Sequence, residues 1–277
     1  MIIRCWGARG SIPVSGPEYL KYGGDTTCLE IRTGEDEIII VDAGSGIRRL
    51  GSRLLAEGRR DYKMFFTHAH WDHLLGFPFF KPIYFQGTAI GMYGCPFAQI
   101  SVKDLISQVM TAPHFPIEYQ NVRCDISYHQ TCGDRFTIGD MTITSFPLSH
   151  PNQGMGYRFE EDGKSFVFLT DNELSYVHPG GMGFDDYVRF AANADLLIHD
   201  AEFREDDYKQ TWGHSTYNDA VRLAIAAGVK KLGLFHHNQE RSDVGVDEIM
   251  AAGVEMIRAE KGDVDCCAVY RDMEIIL

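Results

Sequence analysis

Short apolar runs and one longer helical pattern divide the first part of the chain into strands followed by a helix. Residues 2–6, 26–33 and 37–41 are rich in β-branched and apolar side chains, a pattern that predicts strands. Between Ile47 and Glu57 the apolar positions recur at helical spacing, and Gly58 follows as a stop signal. This order of elements is typical of one half of a sandwich.

The rest of the chain shows the same order, with strands first and helices afterwards. No sequence repeat and no low-complexity linker separates the two parts. The pattern therefore predicts one domain over residues 1–277, of α/β class, with two sheets inside and helices outside. The further strands are expected at 62–66, 141–146, 156–159, 165–169, 195–198, 231–235 and 266–270, and the further helices at 217–227 and 247–260.

Residues 76–140 interrupt this regularity with many aromatic residues and prolines. Val102 to Met110 is the one stretch there with the spacing of an amphipathic helix. A long, apolar and weakly regular insert predicts a lid or pocket wall beside a site, and a homodimer surface is the alternative. His114 lies in this insert and is a candidate substrate contact.

Composition and charge limit the classes of function. The chain has 277 residues, of which 44% are hydrophobic, enough for a substantial core. No apolar run approaches the roughly 18 residues of a membrane helix, and the start lacks the basic head and apolar stretch of a signal peptide. We therefore expect a soluble, cytoplasmic protein. The net charge of −13 disfavours extended binding to nucleic acid but permits a small phosphorylated ligand at a metal.

The seven cysteines are scattered along the chain and odd in number. No Cys-x-x-Cys pair occurs, so the sequence indicates neither a zinc knuckle nor a redox dithiol. We expect reduced thiols that are mostly buried.

The run from 67 to 73 concentrates metal-binding chemistry directly after a predicted strand. It contains His68, His70, Asp72 and His73. Side chains alternate along a strand, so His68 and His70 point to the same side, and a helical turn after them would swing Asp72 and His73 toward the same point. Neutral imidazoles with a carboxylate suit zinc, manganese or iron.

Three further candidate ligands also stand just after predicted strands. His150 and Asp171 follow the strands of one hairpin, which can bring both ends to one edge of a sandwich. His236 has a rival in His237, but the two-residue phase of the preceding strand favours His236. Two metal ions would then share these groups. One would take His68, His70 and His150, the other Asp72, His73 and His236, with Asp171 as the bridge.

The His-x-His-x-Asp-His run, followed by a further His, Asp and His, resembles the signature of the metallo-β-lactamase fold hydrolases. The order matches over most of the chain. The resemblance implies an αββα four-layer sandwich with two mixed sheets, and two divalent metal ions, with zinc favoured over manganese or iron. It also implies that Asp42, at an earlier strand end, orients a metal-binding histidine. A helix cap or turn is the alternative role for Asp42.

Within that family, Leu-Ile-His199-Asp200-Ala-Glu-Phe followed by His214-Ser-Thr is similar to a ribonuclease Z pattern. The similarity implies that His214 donates a proton or hydrogen bond at the scissile phosphate and that Asp200 orients His214. Asp200 stands where that enzyme has Glu, a slight departure from the pattern. Asp72 would bind metal and also hold the nucleophilic hydroxide. The alternative for His214 is a structural residue at a helix start.

These features predict a metal-dependent phosphodiesterase that acts on a small substrate, such as a cyclic nucleotide or cyclic phosphate, by a two-metal hydroxide mechanism. Twenty residues separate His150 from Asp171, too few for the tRNA-gripping arm of ribonuclease Z enzymes. A thioester, lactone or β-lactam hydrolase of the same fold is one alternative, and a non-catalytic metal-dependent sensor is another. A diiron protein that reduces oxygen or nitric oxide is disfavoured, because such members replace a motif histidine with a carboxylate.

Overall fold

The computed structural model describes residues 1–277, and its first sheet has seven strands. These strands are β1 (Ile2–Gly7), β2 (Cys28–Arg32), β3 (Ile38–Val41), β4 (Asp61–Phe65), β5 (Ala89–Gly94), β6 (Asp125–Gln130) and β14 (Glu274–Ile276). Their order is β14-β1-β2-β3-β4-β5-β6. Pairing is antiparallel from β14 to β3 and parallel from β3 to β6, so the sheet is mixed.

The second sheet also has seven strands and a mixed pattern. Its strands are β7 (Arg135–Ile138), β8 (Met141–Pro147), β9 (Met155–Glu161), β10 (Lys164–Leu169), β11 (Leu196–Asp200), β12 (Lys231–Phe235) and β13 (Asp265–Ala268). Their order is β13-β12-β11-β10-β9-β8-β7. Here β10 to β13 are parallel and β7 to β10 antiparallel, as in the first sheet.

Six α-helices accompany the two sheets. They are α1 (Ile47–Ala56), α2 (Trp71–Leu74), α3 (Val102–Val109), α4 (Phe184–Phe190), α5 (Tyr217–Ala227) and α6 (Asp243–Ala259). α1 packs against β1 of the first sheet, whereas α5 and α6 pack against β11, β12 and β13 of the second. The arrangement confirms the expected α/β class and αββα four-layer sandwich. No helix combines the length and the apolar character needed to cross a bilayer.

The strand β10 shows how the sheets divide the core. Phe166 and Phe168 belong to a cluster of 41 buried residues that draws on both sheets. Val167 and Leu169 belong to a cluster of 19 buried residues between the second sheet and its helices. Because side chains alternate along a strand, a continuous apolar run buries both faces of the sheet.

Capping hydrogen bonds explain where the helices α5 and α6 begin. α5 has its predicted bounds, because Thr216 Oγ1 accepts a hydrogen bond from the backbone N–H of Asp219 and Gly228 ends the helix at a φ of 64°. α6 begins at Asp243 instead of the expected 247, since Ser242 Oγ accepts from the backbone N–H of Gly245 and caps an earlier start.

The segment 76–140 is more regular than its composition suggests. β5 and β6 lie in it and extend the parallel part of the first sheet beyond β4. β5 contains Gly91 and Gly94, which weaken a strand pattern, and five of the six residues of β6 are exposed at the sheet edge. The expected role of the insert as a lid or pocket wall stays a prediction.

The expectation of fully reduced cysteines is wrong for one pair, because Cys95 and Cys132 form a disulfide with a Cα–Cα distance of 5.0 Å. Cys95 follows β5 and Cys132 lies just beyond β6. Parallel pairing of these two strands brings residues 37 positions apart next to each other. The pair was missed because the two strands were missed. Five cysteines are free, two of them buried.

A buried tyrosine links the second sheet to the strand that precedes residues 67–73. Tyr157 on β9 has no solvent exposure and donates from its hydroxyl to the carbonyl oxygen of Phe66 over 2.7 Å. Next to it, the backbone N–H of Met155 donates to the carbonyl oxygen of Thr67 over 2.7 Å. Both bonds hold the start of the metal-binding run against the opposite sheet.

We predict that Tyr157→Phe lowers the free energy of unfolding by about 1–2 kcal/mol, because the buried carbonyl of Phe66 loses its donor. Urea unfolding followed by circular dichroism measures this change. Tyr270→Phe is the control, since Tyr270 is 43% exposed and makes no side-chain hydrogen bond. Equal stability of the two variants would show that the bond across the sheets contributes nothing.

Candidate metal centre

Seven polar side chains converge where strands of both sheets end. They are His68, His70, Asp72, His73, His150, Asp171 and His236, all buried except the half-buried His70. They fall into two groups, with the ligand atoms of each group within 4.8 Å of one another. The groups have the composition expected from the sequence, and Asp171 belongs to both.

Asp171 directs one carboxylate oxygen toward each group. Its Oδ2 lies 3.5 Å from His68 Nε2 and 4.0 Å from His150 Nε2. Its Oδ1 lies 3.4 Å from His73 Nε2 and 3.3 Å from His236 Nε2. A carboxylate with this placement can bridge two cations.

The outer ring nitrogens of three histidines have hydrogen-bond acceptors. His73 Nδ1 donates to Asp42 Oδ2 over 2.8 Å, and His150 Nδ1 donates to the carbonyl oxygen of Gly213 over 2.9 Å. His236 Nδ1 lies 3.1 Å from Glu202 Oε2. In all three rings Nε2 faces the group, so a neutral ring with its proton on Nδ1 presents the Nε2 lone pair to a cation.

Burial and charge also put several groups in the protonation state of a metal ligand. Burial lowers the pKa of His68 and His150 well below the ordinary histidine value, so both rings are neutral at pH 7. Burial alone would raise the pKa of Asp171, but His236 and His73 hold it well below its usual range. Burial alone would lower the pKa of His73, but nearby carboxylates raise it, so binding a cation must displace a proton from this ring.

The hydrogen bonding of the ring nitrogens fits a cation site better than it fits an ordinary polar network. His68 Nε2 and His73 Nε2 are buried and have no hydrogen-bond partner. His150 Nε2 and His70 Nδ1 face each other over 3.0 Å. Buried polar atoms without partners are costly in a folded protein, and divalent ions, one in each group, would satisfy all four nitrogens.

Three residues of the site turn the chain through left-handed backbone. Asp42, Asp171 and His236 have φ angles of 62°, 53° and 56°. Each stands directly or nearly directly after a strand, where such a conformation bends the chain sharply. Non-glycine residues in this region cost of order 1–3 kcal/mol each, a strain that clusters at functional sites.

The glycine-rich loop after β1 forms one wall of the site. The backbone N–H of Ser11 donates to Asp72 Oδ2 over 2.9 Å. A side chain at Gly10 would collide with the ring of His236, so glycine is required by this close approach. The loop therefore holds one carboxylate and one imidazole of the second group.

His237 and His114, both named in the sequence analysis, lie outside the two groups. His237 Nε2 donates to the carbonyl oxygen of Val269 over 2.7 Å, and burial lowers its pKa to about 3. The structure thus brings His236, and not its rival, to the centre. His114 is exposed in the insert and does not line the cleft at the site.

A family model described as "Beta-lactamase superfamily domain" matches residues 38–237. The match covers more than half of the chain and includes every residue of both groups. The chain belongs to the beta-lactamase superfamily. The family predicted from the histidine run is thereby confirmed.

Relatives within this superfamily agree with the fold and with the ribonuclease Z resemblance. The chain is 28% identical over 244 residues to a ribonuclease Z of Thermococcus kodakarensis, a match that covers 72% of this chain and 74% of that enzyme. The metallo-beta-lactamase fold protein YhfI from Bacillus subtilis has a TM-score of 0.72 and 19% identity, covering 99% of this chain and 98% of that one. The short form of human tRNase Z has a TM-score of 0.67 and 21% identity, covering 100% and 99%.

The imidazole of His214 lies beside both groups of metal-ligand candidates. Its Nδ1 is buried without a hydrogen-bond partner and lies 3.8 Å from Asp171 Oδ2. Its ring stacks on that of His236 with centroids 4.8 Å apart. The side chain can therefore reach a ligand that is held between the two groups.

The oxygens of Asp200 are engaged by backbone donors. Oδ1 accepts from the N–H of Asn172 over 2.9 Å, and Oδ2 accepts from the N–H of Ser215 over 2.7 Å. The approach to His214 Nδ1 is 4.0 Å, beyond hydrogen-bond distance. Burial, followed by the charge of Asp171, raises the pKa of Asp200 well above its ordinary value.

Glu202 is a site residue that the sequence analysis did not single out. Its Oε2 lies 3.4 Å from His214 Nε2 and 3.1 Å from His236 Nδ1. Burial alone would raise the pKa of Glu202, but these two imidazoles lower it, so the side chain is ionised. A signal was present, because Glu202 follows Asp200 by two positions at the end of β11, where side chains alternate.

Glu173 was also missed, and it fastens the loop that leads to His214. Its carboxylate is buried and accepts four hydrogen bonds of 2.6–2.8 Å. The donors are His178 Nε2, Tyr208 Oη and the backbone N–H groups of Thr211 and Gly213. Gly213 has a φ of 90° and packs against the ring of His150, which excludes a side chain there.

We predict that Asp42→Asn weakens binding of divalent metal by about 10- to 100-fold. Asp42 accepts from the N–H of Thr67 through Oδ1 and from His73 Nδ1 through Oδ2, whereas Asn has a single acceptor oxygen for these two donors. Competition with a chromogenic chelator measures the affinity. Asp36→Asn is the matched control, since Asp36 has a similar φ of 63° but is exposed and pairs with Arg59. Unchanged affinity in a folded Asp42→Asn protein would exclude this orienting role.

Proposed function

We propose that this protein is a metal-dependent hydrolase that cleaves a small phosphodiester. The observation that carries the proposal is a buried imidazole with an unpaired Nδ1, that of His214, beside two groups of metal-ligand type. Cleavage of a phosphodiester expels an alkoxide or phenoxide, which departs more easily when a positioned acid protonates it. The homology to ribonuclease Z, a phosphodiester-cleaving family, supports the same reading.

The two groups would hold two divalent ions. His68, His70 and His150 would bind one ion, and Asp72, His73 and His236 would bind the other, with Asp171 between them. Imidazole with carboxylate suits zinc first, and manganese or iron next. When bound, such ions polarise the phosphoryl oxygens and lower the pKa of water.

The chain's own residues orient the proton donor. His214 Nε2 lies 3.4 Å from Glu202 Oε2, while Nδ1 faces the space next to Asp171. We assign His214 as the acid for the leaving oxygen and Glu202 as the residue that positions it. Asp200 supports the loop at Asn172 and Ser215 and so acts on His214 from the backbone.

The size and charge of the site favour a small substrate. The hairpin of β9 and β10 occupies the sequence between His150 and Asp171, where ribonuclease Z enzymes carry their arm. No lysine or arginine lines the open cleft of about 490 Å³ at the second group. The net charge of −13 also disfavours binding along a long phosphate backbone.

We predict that protein loaded with zinc or manganese hydrolyses bis-p-nitrophenyl phosphate, and that His214→Ala lowers kcat by roughly 10²-fold or more at equal metal content. Release of p-nitrophenolate measures the rate. His129→Ala, which changes an exposed histidine on β6, is the control. No turnover by metal-loaded wild-type protein would contradict the proposal and direct the search to thioesters and lactones.

We also predict different defects for the two carboxylates near His214. Glu202→Gln should lower kcat by about 10- to 100-fold, the usual loss when the partner of a functional imidazole is removed. Asp200→Asn should mainly lower the free energy of unfolding, by about 1–3 kcal/mol, because one buried backbone N–H loses its acceptor. Steady-state kinetics and urea unfolding separate these effects. If the Asp200→Asn protein is stable and loses more kcat than the Glu202→Gln protein, then Asp200 and not Glu202 orients His214.

A further inference from the structure

We infer that Trp71 is a stacking platform for a planar aromatic group of the substrate, such as a nucleobase. The inference rests on the proposed function, since it concerns the part of a phosphodiester that lies beyond the phosphate. It assigns a specificity role to the residue between two of the metal-ligand candidates, His70 and Asp72.

Trp71 is the most exposed of the chain's large hydrophobic side chains, at 83%. Its indole side chain makes neither a hydrogen bond nor an aromatic contact within the protein. Tryptophan is normally buried over most of its surface, because its large apolar ring is favourable to remove from water. The fold gives Trp71 no such cover.

The position of Trp71 is fixed by its neighbours. It is the first residue of α2, and His70 and Asp72 on either side are held in the two groups. The backbone therefore cannot move the ring away without disturbing both groups. An exposed ring on a fixed backbone is suited to bind a flat ligand with little loss of conformational freedom.

Trp71 is also the only large apolar residue that lines the cleft at the second group. Apart from Ala69, its other lining residues are polar. They are Ser11, His70, Asp72, Asp171, His214 and His236. A substrate with its phosphate at the metal-ligand groups thus meets one apolar surface, the indole ring.

The cleft offers no lysine or arginine that could bind a second phosphate or a carboxylate of the substrate. Recognition beyond the reacting phosphate must then use contacts other than ion pairs. Stacking on tryptophan accepts any base, because every base has a π-face, and it typically strengthens binding by about 5- to 150-fold per base. The inferred substrate class is a phosphodiester with a planar aromatic substituent.

Two p-nitrophenyl esters test this inference, because they share the leaving group and the charge. One is thymidine 5′-(p-nitrophenyl phosphate), and the other is methyl p-nitrophenyl phosphate, which has no base. We expect Trp71→Leu to lower kcat/KM for the thymidine ester about 10- to 100-fold more than for the methyl ester, mainly through KM, and Trp71→Phe to recover part of the loss. Trp212→Leu is the control, since Trp212 is 59% exposed but does not line the cleft.

Tryptophan fluorescence provides a readout that does not depend on turnover. The chain has three tryptophans, and Trp6 is buried. AMP should quench the fluorescence of the metal-loaded wild type and of Trp212→Leu, but not that of Trp71→Leu. Ribose 5-phosphate, which lacks the base, should quench none of them.

The outcomes separate the inference from the proposed function. Quenching by AMP that requires Trp71, without hydrolysis of either ester, would support the platform and contradict the phosphodiesterase. Equal losses of kcat/KM on both esters, or equal quenching by AMP and ribose 5-phosphate, would overturn the platform. Size-exclusion chromatography gives a third outcome. If Trp71→Leu elutes as a smaller species than the wild type at equal concentration, the inference would be overturned too, because Trp71 would then lie in an interface with a second copy of the chain.

Discussion

The two-sided carboxylate of Asp171 is the constraint on which the site depends. One oxygen faces His68 and His150 and the other faces His73 and His236, so a single side chain sets the spacing of both groups. The histidines come from strand ends of both sheets, and the sheets must therefore keep a fixed relative position. A large apolar core shared by the sheets supplies that rigidity, because close-packed interiors transmit small displacements instead of absorbing them.

The buried imidazoles must also be held against rotation, and hydrogen-bond acceptors on neighbouring segments do this. Asp42, Glu202 and the carbonyl of Gly213 each occupy the outer nitrogen of one imidazole. Strained backbone contributes at Asp42, Asp171 and His236, where a left-handed turn stops the strand and aims the side chain inward. The strained backbone at these positions lowers stability but fixes the orientation of the side chains, a balance that enzymes commonly show.

The order of the motifs predicted the fold class. It also picked out the seven side chains that the structure brings together, because each of them follows an apolar run that is easy to recognise. The weak elements were missed for physical reasons. β5 carries two glycines, β6 is exposed at an edge, and the Cys95–Cys132 pair depends on the pairing of exactly those strands. Glu202 and Glu173 were missed because their partners are distant in sequence, and a single sequence carries no record of such contacts.

The arrangement is also compatible with the phosphodiester substrate that we propose for this acidic protein. The charges nearest the substrate are carboxylates, including Asp72 and Asp171, and these would repel an anion if they stood alone. Cations bound among them would reverse the local charge, so that affinity for the phosphate follows from metal occupancy and not from the protein surface. Selection among phosphodiesters must then come from the uncharged part of the molecule. Beside this cleft the chain presents one uncharged surface of sufficient size, the exposed ring of Trp71.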